Sequence, residues 1–148
     1  MLRRWFAIAA LATTVIAVGA QTASASSTQV SRFKTIDAPY AKADATWTTA
    51  LERLTAKSTV ADLSKPSLAF VPTMKTFDTA LGKIGFSGKT GTDVATVIKL
   101  NGELIADIDS IKSVTGFVAE FSALSPKYFA VQTSLAKDLG IAAAYVQV

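Results

Sequence analysis

The chain has no histidine and no cysteine among its 148 residues, and these absences remove more chemistry than any motif supplies. Without histidine there is no imidazole to exchange protons near neutral pH, and most hydrolase triads go with it. Without cysteine there is no thiolate nucleophile, no His–Cys zinc site and no disulfide. Histidine-ligated haem is excluded too. Stability must then come from packing alone. Prolines and glycines number only four and eight, and most fall at joints between apolar segments. Long blocks of like charge are also missing. Fifteen basic and eleven acidic residues give a net charge of +4, but the lysines are scattered and leave no nucleic-acid footprint.

What is present begins with a leader. Arg3 and Arg4 precede an apolar run from Trp5 to Ala20, followed by Gln21-Thr22 and the small-residue site Ala23-Ser24-Ala25. A basic start, a short greasy core and an A-x-A exit predict a secretory signal peptide over residues 1–25, cut after Ala25. The run falls short of the roughly 20 apolar residues a membrane span needs. The expected localisation is therefore secreted or periplasmic, with no membrane span after cleavage. Residues 26–148 amount to one domain, enough to bury roughly 65% of its unfolded surface. Arg3 and Arg4 leave with the leader, so the processed chain is less basic than the whole.

The remainder predicts an all-α fold, an antiparallel four-helix-type bundle of four long helices plus one short one. Residues 26–36 read as a flexible lead and 37–148 as the bundle domain. The first helix is expected from Asp37, a cap, with Pro39 in its first turn. Its stripe is Tyr40, Ala43, Trp47, Ala50, Leu51 and Leu54, with Lys42, Thr49, Arg53 and Lys57 facing water. Over 58–85, Val60, Leu63, Ser67, Phe70, Met74, Phe77, Leu81 and Ile84 step by three and four without a slip. Ser64 is a candidate cap with Pro66 in the first turn, and Pro72 predicts a kink near Leu68. Gly85–Gly91 reads as a loop. The third helix, capped by Thr90 or Thr92, carries Val94, Val97, Asn101, Leu104, Ile108 and Ile111, widened by Ile98 and Ile105. Asn101-Gly102 is a hairpin dipeptide, but strict alternation is missing on both sides and the period favours helix. Gly116 predicts a break, Phe117–Leu124 a short helix, and Ser125-Pro126 the start of the last, which ends near Gly140.

The motifs that resemble chemistry do not complete. A phosphate loop around Gly88-Lys89-Thr90 needs a glycine where Lys83 stands. Lys89-Thr90-Gly91 and Ser134-Leu135-Ala136-Lys137 echo penicillin-recognising serine enzymes, but in reversed order and with no Ser-Asp-Asn. Asp107-Ile108-Asp109 opens like a calcium loop, yet Ile111 and Lys112 occupy a ligand position and the obligatory glycine position. Glu103 and Asp107 share a helical face and read as a solvated edge. No metal site and no cofactor motif follows.

Two residues stand apart. Asn101 lies on an apolar stripe, where a lone amide sets helix register or meets a ligand. Phe86 lies between glycines in a loop, either plugging the bundle end or serving as a partner contact. The acidic residues read as spread along exposed faces, which leaves an enzyme built on carboxylates and lysines the weakest reading. The expectation is a secreted, non-enzymatic protein that binds a macromolecular partner, a protein or envelope component. The alternative is a carrier of a small apolar ligand or lipid, lined by Trp47, Phe70, Met74, Phe77, Asn101 and Ile105.

Overall fold

A computed structural model of the chain describes residues 25–141, so the leader and the apolar tail after Ile141 lie outside the described residues. Four helices account for nearly all of it: α1 (Ser27–Glu52), α2 (Val60–Gly82), α3 (Gly88–Asp109) and α4 (Val114–Leu139). There is no strand among the described residues. The short joints make neighbours antiparallel, and the contacts confirm it. Phe33 near the start of α1 meets Phe77 near the end of α2 at 6.5 Å between ring centroids. Lys89 at the start of α3 bonds Asp138 at the end of α4 at 3.2 Å, and also reaches Ser134.

The first helix begins ten residues before Asp37, so the segment expected as a lead is its opening turns. Ser26 accepts from the Gln29 N–H at 3.2 Å, and Gln29 Oε1 accepts from the Ser26 N–H at 2.9 Å. This reciprocal box satisfies two of the donors a helix start leaves open. Phe33, buried in the core, ties those turns to α2. Pro39 then lies inside the helix. It and Thr35, whose carbonyl it leaves unbonded, are both exposed, so water can take that carbonyl.

The same logic extends α2 back to Thr59, which forms a box with Asp62 and displaces Ser64 as the cap. Pro66 and Pro72 are therefore interior. Pro72 and Leu68, four residues before it, are exposed. Helix α3 starts at Gly88 with Ser87 in the cap position, ahead of both expected threonine caps, and runs through Asn101-Gly102, as the period predicts.

Helix α4 corrects the expected short helix. It is continuous from Val114 to Leu139. Gly116 sits in the first turn and donates its N–H to Ser113 Oγ at 3.0 Å. A Cβ there would lie 2.8 Å from that same oxygen, so this glycine lets the cap close rather than breaking the chain. Pro126 is exposed inside the helix. At the far end Gly140, at φ 62°, supplies the left-handed turn that stops it.

Core residues recur on every helix at alternating steps of three and four. They are Phe33, Asp37, Tyr40, Asp44, Trp47 and Leu51 on α1, with Leu54 just past its end, and Leu63, Ser67, Phe70, Met74, Phe77 and Leu81 on α2, with Ile84 just past its end. On α3 they include Val94, Val97, Asn101, Leu104 and Ile108, and on α4 Phe117, Leu124, Tyr128, Val131 and Leu135. Packing is strongest between α1 and α2, α2 and α3, and α3 and α4. Helices α1 and α4 approach less closely, and side chains bridge them, with Trp47 edge-on to Phe121 at 5.4 Å.

Candidate functional site: an acid and aromatic seam in the bundle core

The core face of α1 alternates rings with carboxylates. Phe33, Tyr40 and Trp47 hold one heptad position, and Asp37 and Asp44 hold the other. Both aspartates are only 4% exposed. This overturns the expectation that the acidic residues line exposed faces: the phase that buries Tyr40 and Trp47 carries Asp37 and Asp44 inward with them. It also moves Ala43 and Ala50 from the centre of the stripe to its half-buried margins.

The rings stack into a column. Tyr40 lies over Phe77 at 4.2 Å and tilts against Phe70 at 5.5 Å. Trp47 stacks on Phe70 at 5.2 Å. The Trp47 indole donates to Ser67 Oγ at 3.0 Å, and Ser67 passes its own hydroxyl to the Leu63 carbonyl at 2.8 Å. Every polar atom in that chain has a partner, as burial demands.

A second polar chain crosses the other three helices. The Tyr128 hydroxyl donates to Asn101 Oδ1 at 2.8 Å, and Asn101 Nδ2 donates to Asp78 Oδ1 at 2.6 Å. Asn101 is fully buried and uses both ends of its amide. Asp78 is half-buried.

The two aspartates of α1 are not answered in this way. Asp37 Oδ2 and Asp44 Oδ1 are buried without a hydrogen-bond partner among the described residues. Burial pushes the Asp37 carboxyl up to about 6 and the Asp44 carboxyl up to about 7. Asp78 is pushed to about 6 by the same cause, against the opposing effect of the Asn101 bond. The Tyr40 hydroxyl, held well above its ordinary range first by burial, also feels Asp44, Tyr128, Asp78 and Asp37. Tyr128 is raised by burial and then by Asp78, Glu103, Asp44 and Asp107. Contributions from all four helices thus converge around two phenols.

The residues expected to line a pocket divide between these features. Trp47, Phe70 and Phe77 belong to the ring column, and Met74 is fully buried in the same core. Asn101 belongs to the second chain. Ile105 is half-buried at the margin of the core. Phe86 is half-buried and packs against the bundle end, where its carbonyl would stand 2.8 Å from a Cβ on Gly91. Among the described residues the large exposed aromatic is instead Phe129 on α4, 75% exposed. Asp37, Asp44, Asp78 and Tyr128 are the site residues that the sequence reading missed. The signal for the first two was the seven-residue repeat of rings at Phe33, Tyr40 and Trp47, with an acid four residues after the first two.

Elsewhere the polar groups are conventional. Lys89 pairs with Asp93 on its own helix at 2.7 Å and joins α3 to α4 through Ser134 and Asp138. Asp107 is raised first by burial and then by the charges of Glu120 on α4 and Glu103 on its own helix. No group of three acidic residues among those described could hold a metal ion. No described helix is long and apolar enough to cross a membrane. The chain matches no family model, no curated protein and no solved structure.

Proposed function

We propose that this is an exported binding protein that holds a small ligand inside the bundle, against the seam of Asp37, Tyr40, Asp44 and Trp47. One observation carries this reading: two carboxylate oxygens lie buried and unpartnered beside an aromatic column. Leaving such a group unanswered costs about 1–3 kcal/mol, and more for a charge, so native cores rarely keep one without a use. Binding accounts for the arrangement better than catalysis does. Asp37 and Asp44 are two helical turns apart, roughly 10.5 Å along the axis, too far to act together on one bond as paired catalytic carboxylates do.

The ligand is not wholly apolar, because a purely hydrocarbon guest would leave both oxygens unanswered. Native mass spectrometry of protein purified from its own host tests the reading. A co-purifying small molecule, lost when Asp44 is changed to Leu, is the expected result. Consistently bare protein would remove its support. The competing reading, a macromolecular partner on the outer surface, rests on Phe129. It predicts that Phe129→Ser abolishes capture of a specific protein from the native secretome while leaving the mass of the purified protein otherwise unaltered.

A further inference from the structure

We infer that the internal ligand is a linear organic dication, an alkyl di- or polyamine, with one ammonium at Asp37 and another at Asp44. This deepens the internal-ligand reading above and rests on it. Three observations define the chemistry. The first is the pair of unpartnered, buried carboxylate oxygens on one face of α1. Each is a pure acceptor when ionised and asks for a donor that brings its own charge.

The second is their spacing. Seven residues of helix separate them by roughly 10.5 Å, which no single metal ion bridges, since metal–oxygen bonds are about 2.0–2.6 Å. An extended chain of eight methylenes with an amine at each end spans that distance.

The third is what lies around them. Phe33, Tyr40 and Trp47 alternate with the acids along α1, and Phe70 and Phe77 face them from α2. Aromatic walls suit both the methylenes and, through their faces, the ammonium groups. The polar groups nearby point the same way. Asp78, Tyr40 and Tyr128 add one carboxylate and two phenol oxygens within electrostatic reach. The α1–α4 seam, closed by Trp47 and Phe121 rather than by close backbone approach, is the way in.

The test is calorimetric titration of the protein purified from its own host, with four probes: spermidine, 1,8-diaminooctane, 1,4-diaminobutane and the neutral 1,8-octanediol. The two long amines should bind and the diol should not. The short diamine should bind at least about tenfold more weakly, because it reaches only one carboxylate. Asp44→Asn, which keeps the shape and removes the charge, should weaken the long amines about tenfold or more. Binding that is equal for the diol, equal for the short diamine, or unchanged in Asp44→Asn overturns the inference. Because Asn relieves a buried charge, that variant should fold at least as readily as the parent. Asp37→Asn provides the independent second arm. A neutral lipid found by native mass spectrometry would overturn this inference while leaving the internal-ligand reading intact. No ligand by either method overturns both.

Discussion

Asn101 on α3 and Asp44 on α1 both occupy core positions of unbroken heptads, and the bundle treats them differently. Asn101 donates a hydrogen bond to Asp78 and accepts one from Tyr128, so a single amide ties three helices together. Asp44, just as buried within a few per cent, leaves one oxygen with nothing to accept from. The first arrangement is what a bundle does to fix register at little cost. The second stores free energy in a group that would gain from either a proton or a cation. The contrast shows where to look for function in a core: at the polar group that the surrounding helices could have satisfied and did not.

The widest separation between the two should come from pH. The carboxyls of Asp37, Asp44 and Asp78 sit above their ordinary value in the folded chain, at about 6, 7 and 6. Between roughly pH 4 and 7 the native state then binds more protons than the unfolded state, and stability falls as pH rises. The contribution is fully present below the unfolded value of 3.8 and gone above about 7. For Asp44 alone the loss is on the order of 4 kcal/mol. Thermal melts followed by circular dichroism should show a higher Tm near pH 5 than near pH 8. A flat profile, or one rising with pH, would mean that the α1 carboxylates are satisfied after all.

Replacing Asp44 by Asn sharpens the same point. It should remove the largest single share of the pH dependence, leaving that of Asp37 and Asp78, and stabilise the protein near pH 8 by about 2–4 kcal/mol, with a smaller gain near pH 5. Urea titrations at the two pH values measure it. Asn101→Ala should do the reverse. It deprives the Tyr128 hydroxyl and the Asp78 carboxylate of their partner and opens a small void, at a cost of about 2–3 kcal/mol. Because the Asn101 bond opposes the burial of Asp78, its loss should also steepen the decline in stability with pH. If Asn101→Ala costs as little as a surface change, the answered half of the comparison is wrong.

Much of the fold was legible because four amphipathic stripes announce four helices, and their short joints leave little choice but antiparallel packing. The stripe of α2 can be read residue by residue, even through two prolines, because the phase never slips from Val60 to Ile84. What went unread has physical causes. The start of α1 was hidden because Ser26 and Gln29 form a capping box of weak sequence specificity, while Asp37 and Pro39 imitate a start further on. The break placed at Gly116 failed because a glycine in a first turn can serve close approach to the cap rather than termination. The site itself was hidden by hydrophobicity. Reading α1 for apolar residues selects Ala43 and Ala50 and passes over Asp37 and Asp44, and since both pairs keep the seven-residue spacing of the rings, spacing alone does not tell which pair faces the core. Asn101 was visible because an amide inside a stripe is an anomaly. A carboxylate on the same stripe looks like its edge until burial is known.

Gly102 offers the smallest effect and a control on the rest. It follows Asn101 in the interior of α3, its position is exposed, and a Cβ added there meets nothing within 4 Å. Its backbone is helical, so alanine costs no strain and removes the freedom that glycine carries into the unfolded chain. Gly102→Ala should therefore stabilise the protein by about 1 kcal/mol, read as a shift of the urea midpoint with an unchanged slope. The gain should be the same near pH 5 and near pH 8, since the residue touches no titrating group. It should also add to the loss in Asn101→Ala, if that loss arises in the Tyr128–Asn101–Asp78 chain and not in the local stability of α3. Should Gly102→Ala instead be destabilising, or cancel the effect of Asn101→Ala, the cost assigned to the amide network would belong to the helix beneath it, and the contrast with Asp44 would have to be drawn again.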